Sequence, residues 1–208
     1  MKVKVCGMRE KNNIRVIAAM MPDYMGFIFY RKSPRYAGDV LDRDVLDSLD
    51  SRIVKVGVFV NEDRNILLET VRHYGLDMVQ LHGDESPEYC RALKGEGLDV
   101  IKVFFPGTDK DYLMKGSYFD CDYFLFDNRG KGRGGSGKRF DWHLLKGCQA
   151  EKPYFLSGGI GPGDISLIAG LEGSLPYAID INSRFETEPG LKDEPLTADF
   201  ITKLRHNI

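Results

Sequence analysis

The sequence predicts an α/β fold: a short-loop, single-domain (β/α)8 (TIM) barrel spanning residues 1–208. Two patterns and their count carry that reading. Short apolar, β-branched or aromatic runs recur at Val3–Cys6, Tyr24–Phe29, Ile53–Phe59, Met78–Leu81, Val100–Val103, Tyr123–Asp127, Tyr154–Ser157 and Ala178–Ile181. Several are continuously apolar rather than alternating, as strands buried on both faces of a parallel sheet are. Their starts lie about 20–30 residues apart, room for a strand and a returning helix and too much for hairpins. Alternating strands and helices allow a closed barrel or an open doubly wound sheet. About eight strands, each followed by a helical segment, favour the barrel. Such barrels run from about 200 residues upward. At 208 residues the loops must be short and some helices stunted.

The helices follow in order. Ile14, Ile17, Ala18 and Met21 share one helical face, as do Leu41, Val45, Leu46 and Leu49, and Ile66, Leu67 and Val71. Asn61 is placed to cap the third helix and Gly75 to stop it. Ser86-Pro87 is a cap followed by a first-turn proline. Pro162 is placed to start another helix after Gly161, and the last runs from about Thr197 to His206. The fifth and sixth, around Tyr112–Lys115 and Trp142–Lys146, are short. No linker, low-complexity tract or composition break divides the chain.

Composition excludes several classes. The formal net charge of −2 does not predict a nucleic-acid footprint. The four cysteines, Cys6, Cys90, Cys121 and Cys148, show no CxxC spacing, so reduced thiols in a cytoplasm are expected. The N-terminus lacks the apolar stretch of a signal peptide, and no run of about 18 apolar residues predicts a membrane span. His73, His82, His143 and His206 are dispersed, so no metal site is expected.

Chemistry in a parallel α/β protein gathers where strands end. Glycines and small polar residues after the last two strands, Gly158-Gly159 and Asn182-Ser183, fit a phosphate site built from backbone N–H groups and side-chain donors. Cys6 ends the first strand near Lys4 and Arg9, where a thiol could serve as a thiolate base; a buried, inert cysteine is the alternative. Asp127 closes an apolar strand, where desolvation suits a carboxyl to general-acid work; a turn or cap aspartate is the alternative. Gln80, His82 and Asp180 stand at other strand ends, and Arg35 follows the second strand.

The loop Arg129–Lys138 invites two other readings. Gly132 to Lys138 fits the GxxxxGK half of a P-loop, but Arg139 stands where a P-loop needs Ser or Thr for magnesium. The loop also looks like an RNA-binding Arg-Gly tract, but it is one short island in an acidic chain. A mobile, basic active-site lid is the better account.

The motifs in order are Val5-Cys6-Gly7; Gly26-Phe27 with Ser33-Pro34-Arg35; Val58-Phe59-Val60-Asn61; Val79-Gln80-Leu81-His82-Gly83; Asp127; Gly134-Gly135-Ser136-Gly137-Lys138 with Phe140-Asp141-Trp142; Gly158-Gly159; and Asp180 through Glu186 with Pro189-Gly190-Leu191-Lys192-Asp193. This series resembles the phosphoribosylanthranilate isomerase family over almost the whole chain. The resemblance implies an Amadori-type aldose–ketose isomerase of tryptophan biosynthesis acting on phosphoribosylanthranilate without a cofactor. It implies Cys6 as general base, Asp127 as general acid, and Arg35 as holder of the anthranilate carboxylate. Gln80, His82 and Asp180 would contact substrate, with His82 supporting rather than catalysing. Gly158, Gly159, Asn182 and Ser183 would hold the phosphate. Family members often carry Ser-Ser-Gly where this chain has Asn182-Ser183-Arg184. The related isomerase of histidine biosynthesis resembles a half-barrel repeat with paired aspartates, and Cys6 in place of an aspartate argues against it. A monomer without nucleic-acid or membrane partners is expected.

Overall fold

β1 (Lys2–Cys6) sets the pattern for the sheet. Successive residues of a strand point to opposite faces. Val3 and Val5 pack outward among the helices, while Lys4 and Cys6 turn inward. The computed structural model of the chain describes residues 1–106, 117–128, 142–145, 152–171 and 175–207. Seven more strands follow β1 in parallel: β2 (Tyr24–Ile28), β3 (Val54–Phe59), β4 (Met78–Leu81), β5 (Asp99–Phe104), β6 (Tyr123–Phe126), β7 (Tyr154–Leu156) and β8 (Ala178–Ile181). Each pairs with its neighbour in sequence, and β8 pairs back onto β1, so the sheet closes into a barrel.

Two apolar layers result. Val56, Met78, Ile101, Leu125 and Phe155 fill the inside of the barrel. Phe27, Val79, Phe104, Phe124 and Ile179 face the surrounding helices. This double burial explains why the strands read as continuous apolar runs. Tyr24, Tyr123, Phe155 and Tyr177 pack together at the N-terminal end, where Lys2 Nζ donates to Tyr177 Oη at 2.6 Å.

Among the described residues the α-helices are α1 (Lys11–Ala19), α2 (Arg43–Asp47), α3 (Arg64–Tyr74), α4 (Pro87–Gly95), α5 (Ile165–Ala169) and α6 (Glu194–Asn207). Gly75 ends α3 in the left-handed conformation, and the Ser86 hydroxyl caps α4 ahead of Pro87, both as expected. Several expectations are corrected. Asp63, not Asn61, caps α3, because Asn61 has φ 49° and its amide oxygen accepts from Asp84 N at 2.7 Å. Ile66 faces solvent at 52 % exposure, leaving Leu67 and Val71 to bury the helix. Leu41, Leu49 and Met21 lie outside the helices whose faces they were expected to share. Pro162 stands in a turn closed by the Asp164 carboxylate on Gly161 N at 2.8 Å, and α5 begins at Ile165. α6 starts at Glu194, a turn before Thr197, with the Asp193 carboxylate accepting from Leu196 N. Between β8 and α6 the chain inserts an unanticipated antiparallel hairpin, β9 (Glu186–Glu188) and β10 (Leu191–Lys192). The sixth helical segment is a 3-10 turn, Trp142–Leu145. The fifth, at 112–115, lies outside the described residues, as do the 129–138 loop, Arg139 and Cys148.

One buried ion pair anchors the loop after β4. Lys102 Nζ donates to Glu85 Oε2 and to Gly83 O, both at 2.8 Å. Glu85 also accepts from Asn61 N and Gly83 N. Both side chains are nearly inaccessible, at 3 % and 2 %. Removing one partner strands a buried charge, which typically costs about 3–5 kcal/mol. Glu85→Ala is expected to lower the unfolding free energy by that order in urea denaturation. An unchanged midpoint and slope would show that this loop does not depend on the pair.

Candidate active site

The C-terminal ends of the strands open into a cleft of about 410 Å³, within the range of roughly 300–1,000 Å³ usual for small-molecule sites. The catalytic, substrate and phosphate residues expected from the sequence all line it: Cys6, Arg35, Gln80, His82, Asp127, Gly158, Gly159, Asp180, Asn182 and Ser183. The strand period explains the gathering. Lys4 and Cys6, Gln80 and His82, and Asp180 and Asn182 are two apart, so the pairs share a face.

Cys6 is buried beside β2, its register partner being Gly26. A Cβ on Gly26 would stand 2.7 Å from Cys6 Sγ, so glycine there makes room for the thiol. Burial pushes the Cys6 thiol up, and the positive charges of Lys4 and Lys192 oppose it only in part. Arg9 is not the neighbouring cation expected from the sequence, since its Nη1 donates to Pro34 O at 3.1 Å.

Lys4 is fully buried and is the register partner of Asp180, whose Oδ1 accepts from Lys4 Nζ at 3.0 Å. Burial works against the ammonium, but Asp180 and Cys6 outweigh it and hold Lys4 charged. Burial raises the Asp180 carboxyl, with Lys4 opposing.

Across the barrel, Asp127 Oδ1 accepts from Asn128 N at 2.6 Å, and Oδ2 lies 3.3 Å from His82 Nε2. That contact is close but not aligned as a hydrogen bond, and His82 Nε2 and Gln80 Oε1 are buried without a hydrogen-bond partner among the described residues. Gln80 Nε2 lies 3.0 Å from His82 Nδ1. An amide donating there puts the imidazole proton on Nε2, facing Asp127. Gln80, His82 and Asp127 all line the cleft.

Arg35 is held in the loop after β2, where its N–H donates to Ser33 Oγ. Its guanidinium makes a fork with Glu186, Nη2 to Oε2 at 2.6 Å and Nε to both oxygens at 2.9 Å. Glu186 and Lys192 fell within the family motif, but nothing in the sequence marked them as buried neighbours of Arg35 and Cys6. Ile28, Tyr30, Lys32, Val58, Val60 and Ile160 also line the wall and were not expected as site residues. Their apolar or surface-like character gave no signal apart from strand position. Arg184 is exposed and reaches Gly159 O at 3.4 Å, standing over the glycine turn. Among the described residues, no cluster of three or more His, Cys, Asp or Glu could hold a metal ion.

Fold and site together define a (β/α)8-barrel enzyme with a polar cleft at the C-terminal rim of the strands. The family description N-(5'-phosphoribosyl)anthranilate (PRA) isomerase matches residues 3–203, and the chain belongs to that family. The N-(5'-phosphoribosyl)anthranilate isomerase of Phocaeicola vulgatus is 45% identical over 209 residues, covering 100% of both chains. The phosphoribosyl anthranilate isomerase of Thermus thermophilus superposes with a TM-score of 0.85 at 26% identity over 99% of each chain. A phosphoribosyl anthranilate isomerase in complex with reduced 1-(o-carboxyphenylamino)-1-deoxyribulose 5-phosphate superposes with a TM-score of 0.83 at 30% identity, again over 99% of each.

Gly158 and Gly159 have φ of +86° and +74°, a region side chains disfavour. A Cβ on Gly158 would also stand 2.6 Å from Asn128 N and 2.9 Å from Asp127 Oδ1. Gly158→Ala is therefore expected to weaken inorganic phosphate binding by at least about tenfold. In the unaltered protein a soaked phosphate should sit among Gly158, Gly159, Asn182 and Ser183. An anion found elsewhere with this site empty would remove the assignment.

Proposed function

We propose that this chain isomerises N-(5-phosphoribosyl)anthranilate to 1-(2-carboxyphenylamino)-1-deoxyribulose 5-phosphate, with residues 1–208 as one catalytic domain. The reaction is an intramolecular aldose–ketose rearrangement of the Amadori type, a step of tryptophan biosynthesis. One observation carries the reading: Cys6 and Asp127, from β1 and β6, face a single cleft with Arg35 and with the Gly158-Gly159 and Asn182-Ser183 turns. A substrate with a carboxylate at one end and a phosphate at the other spans such a cleft.

Asp127 gives its proton to the furanose ring oxygen. The C1′–O bond breaks toward that oxygen, and the nitrogen lone pair closes a C1′=N Schiff base. Cys6, as thiolate, removes the C2′ proton. The released pair forms C1′=C2′ and neutralises the nitrogen, giving an enolamine. Its hydroxyl then loses a proton, C1′ gains one, and the C2′ ketone results. One group must be acidic and the other basic at one pH, so their surroundings must differ. They do: Cys6 has Lys4 and Lys192 as neighbouring cations, whereas Asp127 has His82. Gln80, His82 and Asp180 line the middle of the cleft and contact the ribose in this reading.

Acid or base catalysis by one positioned group is typically worth about 10²–10⁴-fold. Cys6→Ser and Asp127→Asn are each expected to lower kcat by that order with the melting temperature nearly kept. The assay is the fall in fluorescence as the anthranilate substrate is consumed. Near-normal turnover with lowered stability in Cys6→Ser would make Cys6 structural instead.

The free thiols of Cys6, Cys90 and Cys121 support a reducing compartment, and we place the protein in the cytoplasm. No helix among the described residues is long and apolar enough to cross a membrane. The exposed large apolar side chains among the described residues, Val16, Val40, Ile66, Phe119, Leu167 and Leu175, are spread along the sequence rather than gathered in one segment, which supports a monomer. Sedimentation at micromolar concentration is expected to give one species of single-chain mass; a dimer there overturns that assignment.

A further inference from the structure

Glu186 opens the β9–β10 hairpin, and none of the steps above uses it. Its side chain is 3 % exposed, yet five hydrogen bonds end on its two oxygens. Three come from Arg35, one from Gly190 N at 3.2 Å and one from Lys192 Nζ at 2.5 Å. Lys192 is fastened in turn: its backbone N–H donates to Asn13 Oδ1, its carbonyl accepts from Asn13 Nδ2, and its ammonium donates to Asn182 Oδ1 at 2.9 Å. The Arg35 fork is thus fixed to a part of the chain that α1 and the β8 loop hold rigidly. Nε and Nη2 are occupied by Glu186, and Nη1 has no hydrogen-bond partner among the described residues.

We propose that Glu186 is the positioning residue of Arg35, holding the guanidinium so that its remaining edge, Nη1, meets the carboxylate of the substrate. The inference rests on the reading of Arg35 as the carboxylate site. Geometry and charge make opposite predictions here. Arg35, Lys192 and Glu186 together carry one surplus positive charge. Deleting the Glu186 charge raises that surplus, which by Coulomb attraction alone would tighten the grip on an anion. Deleting the fork frees a long side chain and lets Arg35 and Lys192 repel, which loosens the grip. Burial raises the Glu186 carboxyl, but hydrogen bonds from Arg35 and the charge of Lys192 outweigh it and keep Glu186 ionised. A planar, bidentate pair fixes direction as well as distance, so orientation is expected to dominate.

The test uses two ligands and calorimetry. One is reduced 1-(o-carboxyphenylamino)-1-deoxyribulose 5-phosphate; the other is its phenylamino counterpart, which lacks only the carboxylate. Glu186→Gln is expected to weaken the first by about tenfold, equivalent to about 1.4 kcal/mol. The second should change by less than about twofold, and Glu186→Gln added to Arg35→Ala should cost nothing further within that margin. Glu186→Asp keeps the charge but withdraws it by one methylene, and should show a smaller loss with the same selectivity; it decides the matter if Glu186→Gln fails to fold by circular dichroism. Unchanged or tighter binding of the carboxylate ligand in Glu186→Gln, or equal loss of both ligands in the folded variants, overturns the proposal while leaving Arg35 as the carboxylate site. If Arg35→Ala keeps the full preference for the carboxylate ligand, the reading of Arg35 fails, and the proposal fails with it.

Discussion

Closure of the sheet between β1 and β8 is the constraint on which the site depends. The two strands are the first and last of the barrel, and their pairing sets Lys4 against Asp180 across the seam. Because side chains alternate, that one register decision turns Lys4, Cys6, Asp180 and Asn182 toward the same interior and the same rim. A slip of one residue would send Val3 and Val5 inward and the charged pair into the helix layer. The buried Lys4–Asp180 pair thereby reports register. An ammonium in an apolar interior is tolerable only where a carboxylate meets it.

The rim is accordingly a small, dry field of fixed charges. Lys4 and Lys192 are both buried near Cys6, and each is matched by a carboxylate, Asp180 and Glu186. Burial alone would keep the thiol protonated, and the two ammonium groups are what works against it. On the opposite wall Asp127 has a different companion, the His82 imidazole. The acid and base roles we propose for Asp127 and Cys6 need such unlike surroundings, because both must act at one pH. The glycine turn after β7 adds a backbone whose left-handed φ values disfavour side chains, with no room for a Cβ at Gly158.

The departures from expectation have common physical causes. Asn61 and Pro162 are competent helix starters in isolation, but a long-range contact recruited the first elsewhere and a local turn the second. Asn61 ties the β3 loop to Asp84, and the Asp164 carboxylate closes the turn holding Pro162. Arg9 is three residues from Cys6 in sequence, yet it holds the β2 loop through Pro34 O. The β9–β10 hairpin escaped notice because it is only a few residues long, and its buried charges read as an ordinary polar turn.

Some features were decided by the sequence alone, because they depend on local pattern. Continuous apolar runs spaced by helical repeats predict strands buried on both faces, and about eight of them favour a barrel over an open sheet, while closure itself is a matter of tertiary pairing. A cysteine, an aspartate, a glycine pair and an Asn-Ser step at strand ends then mark the rim, since parallel barrels present strand ends on one side. Tertiary structure decided which charges meet. Lys4 with Asp180 and Arg35 with Glu186 are separated by 176 and 151 residues, a distance no local periodicity can bridge. Which cation faces Cys6, and which edge of Arg35 is occupied by Glu186, followed only once closure and the hairpin fixed those partners in space.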